Sequence, residues 1–192
     1  MPKTVERESV CLQYVVETVI PSLRRQRYRH LQKTGIWSFC EAILELIFVT
    51  ISPKRIAGGP ANELQEVYLQ RSQRFAGVSA KSFRDEAALL ESLEKSRLRT
   101  RPLLFLADSR GKLLTSEEFA DGFRRAQADG SQQVVWAVGP ADGWSPVALK
   151  RADLVVSFGR ITLPHELAAV VATEQMYRAL TILAGHPYHS GH

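Results

Sequence analysis

Residues 102–118 read Pro102-Leu-Leu-Phe-Leu-Ala107, then Asp108-Ser-Arg-Gly-Lys112, Leu113-Leu114 and Thr115-Ser-Glu-Glu118. The first group is a short, unbroken apolar run, the composition of a buried strand. The second is a polar, glycine-containing turn. The last sets an oxygen side chain ahead of a glutamate, the chemistry of a capping box that opens a helix. Strand, turn and capped helix then recur on both sides. Leu46-Ile-Phe-Val-Thr-Ile51, Gly77–Phe83, Gln133–Val138 and Leu154–Ser157 read as further strands. Asn62–Phe75 and Arg84–Arg97 read as helices, and Pro164 opens a final one that runs to about Ala184. Strands alternating with helices predict an α/β fold: a parallel sheet with helices on both faces.

The chain has 192 residues, 45% of them apolar and 23% charged, the composition of an ordinary globular protein. Collagen-like, disordered and disulfide-scaffold classes are excluded on that ground. Two cysteines, Cys11 and Cys40, fit a reducing compartment and have no metal-site spacing. Glu45 interrupts the best apolar run, Ala42–Ile51, so no membrane span is expected. The first 20 residues contain Glu6, Glu8 and Glu17, which argues against a signal peptide and for a cytoplasmic protein. A formal charge of +5 mildly favours an anionic partner.

Residues 1–45 differ from the rest and read as a basic N-terminal extension, with residues 46–192 as the main domain. Arg24, Arg25, Arg27, Arg29, His30 and Lys33 cluster there around Tyr28. That mixture suits phosphate and base contacts, and equally a solvated helix face.

The final helix is apolar on two sides. Leu167, Val170 and Val171 lie on one, and Ala172, Met176, Leu180 and Leu183 on the other. One side can pack on the sheet. The second set is expected to form a symmetric dimer interface.

In a parallel sheet, ligands bind outside the carboxyl ends of the strands. Three segments meet that description: Ala107–Lys112, Gly139–Gly143 and Ser157–Leu163. No GxGxxG or GxxxxGK[ST] pattern occurs, which disfavours the usual dinucleotide and nucleoside-triphosphate sites. Ser145 and Ser157 have no nucleophile-elbow sequence around them, and no HExxH zinc motif exists. The histidines of the tail, His186, His189 and His192, are too loosely arranged to predict a metal site. Glu174 and Arg178 stand four apart, the spacing of a helical ion pair.

Three segments together resemble the carboxyl-terminal signature of the ribosomal RNA large-subunit methyltransferase H family, part of the SPOUT superfamily of knotted methyltransferases. They are Thr162-Leu-Pro-His-Glu-Leu-Ala168, Glu174-Gln-Met-Tyr-Arg-Ala179 and His186-Pro-Tyr-His189. The likeness continues backwards through Ser157-Phe158, Gly139-Pro-Ala-Asp-Gly143 and Asp108-Ser-Arg-Gly-Lys112, and covers about residues 46–192.

This resemblance implies a homodimeric α/β-knot with a C-terminal trefoil knot that binds S-adenosylmethionine. It implies methylation of N3 of a pseudouridine in 23S rRNA on the assembled ribosome. It implies cofactor contacts at Ala107, Gly139, Phe158, Gly159, Arg160, Ile161, Thr162 and Leu163. Two positions depart from the family: Pro140 stands where a second glycine is common, and Ala107 where leucine is usual. Residues 1–45 have no counterpart. The attacking imide nitrogen is weakly acidic, so a base or an anion-stabilising group is needed. Arg160, His165 and Arg178 are the catalytic candidates, and Tyr188 and His189 are candidates for RNA contact. No metal is expected. The alternative is a non-catalytic ribosome- or RNA-binding protein on the same fold.

Overall fold

The computed structural model describes residues 44–52 and 58–189, the side chain of His189 excepted. The basic cluster Arg24–Lys33 and both cysteines lie outside the described residues. Five strands form one sheet: β1 (Glu45–Ile51), β2 (Gly77–Phe83), β3 (Leu103–Leu113), β4 (Gln133–Val138) and β5 (Leu154–Ser157). Their order is β2-β1-β4-β3-β5, and every pairing is parallel.

Alternation along the strands sorts the core into two layers. Leu46, Phe48, Val134, Trp136, Val138 and Phe105 face one side, with helices α1 (Pro60–Ser72), α3 (Ser116–Ala128) and α5 (His165–Leu183) over them. Ile47, Val49, Ile51, Val135, Ala137, Leu104 and Leu106 face the other, under α2 (Glu86–Glu94) and α4 (Pro146–Arg151). The two-sided burial explains why these strands read as continuous apolar runs. Trp136 is fully buried in the first layer, with its ring 5.0 Å from that of Phe119. Its Nε1–H donates to the Ala172 carbonyl at 2.9 Å, which ties the central strand β4 to α5. Helix α5 packs between α1 and α3.

The helices begin where their caps dictate. Thr115 closes the expected capping box, accepting from the Glu118 amide at 3.2 Å while the Glu118 carboxylate takes the Thr115 amide at 2.8 Å. Asp85 accepts from the Ala88 amide at 2.8 Å, so α2 starts at Glu86 rather than Arg84 and ends at Glu94. Pro60 sets the start of α1 two residues before Asn62, immediately after Gly59.

Two expectations are corrected. The segment Asp108–Lys112 is not a turn that ends its strand. Val156 pairs with both Ala107 and Lys112, so residues 108–111 leave the ladder and return to it, and β3 continues to Leu113. Gly111 permits this, because a Cβ there would lie 2.7 Å from backbone atoms of Val155 and Val156. The second correction concerns α5. Ala172, Met176 and Leu180 are buried within this chain's own core, not held out for a partner. The open side of the helix is the other one, where Leu167 is 50% exposed and Val170 and Val171 are half-buried.

Met176→Lys is therefore expected to behave as a folding defect, since it places an unpaired charge in a dry core at a cost of about 3–5 kcal/mol. Leu167→Lys changes an exposed position and should leave monomer stability within about 0.5 kcal/mol. Urea unfolding of both variants decides the matter. A cooperative, wild-type transition for Met176→Lys would contradict the burial of this side of α5.

Candidate active site

The parallel arrangement puts the point where β3 leaves the ladder beside the ends of β4 and β5. Ala107 is opposite Val138 on β4 and Val156 on β5, so Gly139 and Phe158 follow directly beside it. The segments expected to hold a cofactor thus converge on one edge.

Trp144 fills the space between the first two. This residue is 3% exposed, and its Nε1–H donates to the Ala107 carbonyl at 3.0 Å. A Cβ on Gly139 would meet this indole at 2.7 Å, so glycine is required there for room rather than for positive φ. The excursion 108–111 reaches the same loop. Asp108, its side chain 3% exposed, accepts from Arg110 Nε and Nη2 at 2.8 Å each and from the Trp144 amide at 3.3 Å. Arg110 Nη2 also donates to the Trp144 carbonyl at 2.7 Å. Gly143, at φ +79°, lies under this pair. On the far side of the loop Glu86 accepts from both the Ser145 amide and the Ser145 hydroxyl. Ser145 in turn caps α4 and Pro146 occupies its first turn, a Ser-Pro signal from which this short helix could have been read. The Arg110 guanidinium beside Asp108 holds its carboxyl below the usual carboxylate range.

The third segment, residues 158–163, is irregular. The Ser157 hydroxyl accepts from the Gly159 amide and donates to its carbonyl, and Gly159 takes φ +119° with open space around it. Arg160, Ile161 and Thr162 are exposed and Leu163 is half-buried. Their backbone N–H groups make no hydrogen bond to a described residue. Beside this loop lies a cleft of about 400 Å³, walled by Leu113, Leu114, Val156, Phe158 and Val171, with Gln175 at its side. Of the residues expected at a cofactor, Phe158 and Gly159 line this cleft. Leu113, Leu114 and Gln175 carried no motif that marked them.

The catalytic candidates fall into two groups. His165 opens α5, where Pro164 precedes the helix and no side chain caps it, and Arg160 lies five residues earlier in the 158–163 loop. Arg178 lies thirteen positions beyond His165, about 20 Å along the axis. There the expected ion pair exists: Arg178 Nε and Nη2 donate to Glu174 at 3.0 and 2.7 Å. The carboxylate raises the pKa of this guanidinium. The chain then turns back at Pro187–His189, a short 3-10 turn. The half-buried Tyr188 donates its hydroxyl to Glu174 at 3.2 Å and lies under the Arg178 guanidinium, 4.9 Å from the ring centroid. Burial, then the Glu174 charge, push the Tyr188 phenol well up, so it stays protonated. His186 stands edge-on to Phe75 and accepts from the Tyr188 amide through Nδ1. The His189 side chain and His192 are outside the described residues. Among the described residues no group of three His, Cys, Asp or Glu could hold a metal ion, and no helix is long and apolar enough to cross a membrane.

Comparison with known proteins gives this arrangement its class. A family of predicted SPOUT methyltransferases matches residues 48–189, from β1 to the final turn. Curated relatives narrow it further. The ribosomal RNA large subunit methyltransferase H of Koribacter versatilis is 48% identical over 127 residues, 65% of this chain and 85% of that protein. The enzyme of the same name from Brucella anthropi is 42% identical over 149 residues, 70% of this chain and 93% of its own. The chain belongs to the ribosomal RNA large subunit methyltransferase H family. Among solved structures, a probable methyltransferase from Bordetella pertussis is similar at 17% identity and a TM-score of 0.45, over 72% of this chain and 95% of that one.

The Asp108 clasp has a pH signature. A carboxyl whose pKa is lower in the folded state contributes stability above its unfolded value, about 4, and loses it as the pH falls from there through the folded value. Asp108→Asn should cost about 2 kcal/mol at pH 7, the worth of hydrogen bonds to a charged group. The gap to wild type should shrink below about pH 4. Urea midpoints of both proteins between pH 7 and pH 3 check this, and a gap independent of pH would contradict the assignment.

Proposed function

We propose that this protein is an S-adenosylmethionine-dependent methyltransferase that modifies N3 of a pseudouridine in 23S rRNA on the assembled ribosome, acting in the cytoplasm as a homodimer. The observation that carries the reading is the convergence of Ala107, where β3 leaves the ladder, with Gly139 and the 158–163 loop, which follow the ends of the two strands beside it, in a chain of this family.

The residues present suit the cofactor. The N–H groups of Arg160–Leu163 are uncommitted to other described residues, as recognition of a nucleoside by backbone requires. Phe158 and the apolar cleft offer a wall for an aromatic base. When bound, S-adenosylmethionine supplies a methyl group already activated on a sulfonium. The chain's own work is then to hold the target nitrogen in line with it and to manage the charge that nitrogen develops.

Arg178 is suited to the second task. Glu174 fixes two of its donors and Tyr188 supports its face, so the cation is held in one orientation. Tyr188 and His189 present the tail to the RNA. Arg160 and His165 stand at the cofactor end. The separation of about 20 Å between His165 and Arg178 along one helix favours a site completed by a second copy. Exposed apolar side chains favour the same thing. Leu113 is 67% exposed, Ile161 73% and Leu167 50%, all on the segments that border the cleft. An interface here would cover the open side of α5.

Transfer of a labelled methyl group from S-adenosylmethionine to ribosomes tests the proposal. Arg178→Ala, Arg160→Ala and Tyr188→Ala should each lose at least about tenfold in transfer, roughly 1.4 kcal/mol. Tyr188→Ala should keep near-normal cofactor affinity. A chain beginning near Glu45 should retain activity, with a shallower salt dependence if the basic extension contacts phosphate. Cofactor binding without transfer to any ribosomal substrate would contradict the activity. Absence of cofactor binding would favour a non-catalytic RNA-binding protein.

A further inference from the structure

Every polar group of Trp144 is committed to the residues that leave β3. Its amide donates to Asp108, its carbonyl accepts from Arg110, and its indole N–H donates to the Ala107 carbonyl. Its ring meanwhile occupies the only space into which a side chain at position 139 could grow. Asp108 and Arg110 can reach this residue because residues 108–111 leave the β3–β5 ladder. A surface turn would not need a nearly buried carboxylate bound on both oxygens to hold a neighbouring loop in place.

From this geometry we infer that Trp144 is a positioning residue for the cofactor site, with Asp108 and Arg110 as its clasp. The inference rests on the proposed reading of Ala107 and Gly139 as cofactor-contact positions. Trp144 touches both of them and fixes how far apart they stand. The Gly139–Gly143 loop is anchored at its far end by Glu86 through Ser145, so the Trp144 clasp is what sets its near side. The second residue of the loop is Pro140, which supplies no N–H of its own to hold it. Binding that needs two backbone segments at one spacing loses affinity when that spacing fluctuates, even if the fold is intact.

Trp144→Phe removes the indole N–H and keeps an aromatic ring, and Arg110→Lys keeps the charge but loses the two-pronged geometry. Two measurements on each full-length variant test the inference. Titration calorimetry with S-adenosylmethionine is run well below the melting midpoint, where circular dichroism shows wild-type secondary structure. Hydrogen exchange of the free protein is followed at residues 139–145. The expected result is an approximately tenfold weaker Kd for Trp144→Phe, with exchange at 139–145 faster by a similar factor and unchanged in β1 and β4. Arg110→Lys should fall between Trp144→Phe and wild type in both. Wild-type affinity and wild-type exchange in Trp144→Phe would overturn the inference and leave the proposed function standing. Faster exchange with unchanged affinity would overturn it too, because Trp144 would then hold the loop without serving the cofactor. Failure of the wild-type protein to bind S-adenosylmethionine would instead overturn the cofactor reading beneath it.

Discussion

All five strands run in one direction, and the rest of the molecule depends on that constraint. A parallel strand cannot return through a tight hairpin, so the chain must cross the sheet face between strands, and helices α1–α5 are those crossings or their continuation. Both faces are thereby covered. The backbone polar groups of the three inner strands are satisfied within the sheet, and the loops that follow the strands collect at one edge. Trp136 makes the arrangement specific on the α1, α3 and α5 side, since its single donor can be satisfied in the core by the Ala172 carbonyl. Trp144 does the corresponding service at the exit of the same strand, on the opposite layer.

Much of this was legible in the residues. Gly77–Phe83, Gln133–Val138 and Leu154–Ser157 appear as strands at their expected limits, because apolar runs bounded by turn residues leave little freedom in placing them. The Thr115 cap was legible because capping is local chemistry. What was not legible depends on contacts between distant segments. The continuation of β3 beyond Ala107 follows from β5 lying close enough to Gly111 to recapture the chain, and no pattern within residues 108–112 reveals that neighbour. The side of α5 that faces the sheet differs from the expected one for a related reason. Both sides are apolar, and periodicity finds faces without saying which of them Trp136 will meet.

The candidate site divides along the same line. Gly139, Phe158 and Gly159 were read from their places after strands, and the structure brings them to one edge. The pairing of Glu174 with Arg178 followed from helical spacing. The joining of Tyr188 to that pair needs the chain to turn back at Pro187, and the apolar cleft draws on three separated segments. Trp144 is the clearest omission. It carries no motif, and its importance comes from three hydrogen bonds to residues more than thirty positions away.

These observations describe a scaffold whose loops meet at the carboxyl edge of a parallel sheet, with an anchored arginine at the far end of the last helix and an exposed apolar border between them. On the proposed function, such a scaffold places one methyl group on a 23S rRNA pseudouridine. Mass analysis of 23S rRNA from cells with and without the gene tests it most directly. One pseudouridine-containing fragment should be lighter by a single methyl group when the gene is removed, and restored when it is returned. Identical 23S rRNA fragments in both cells would contradict it.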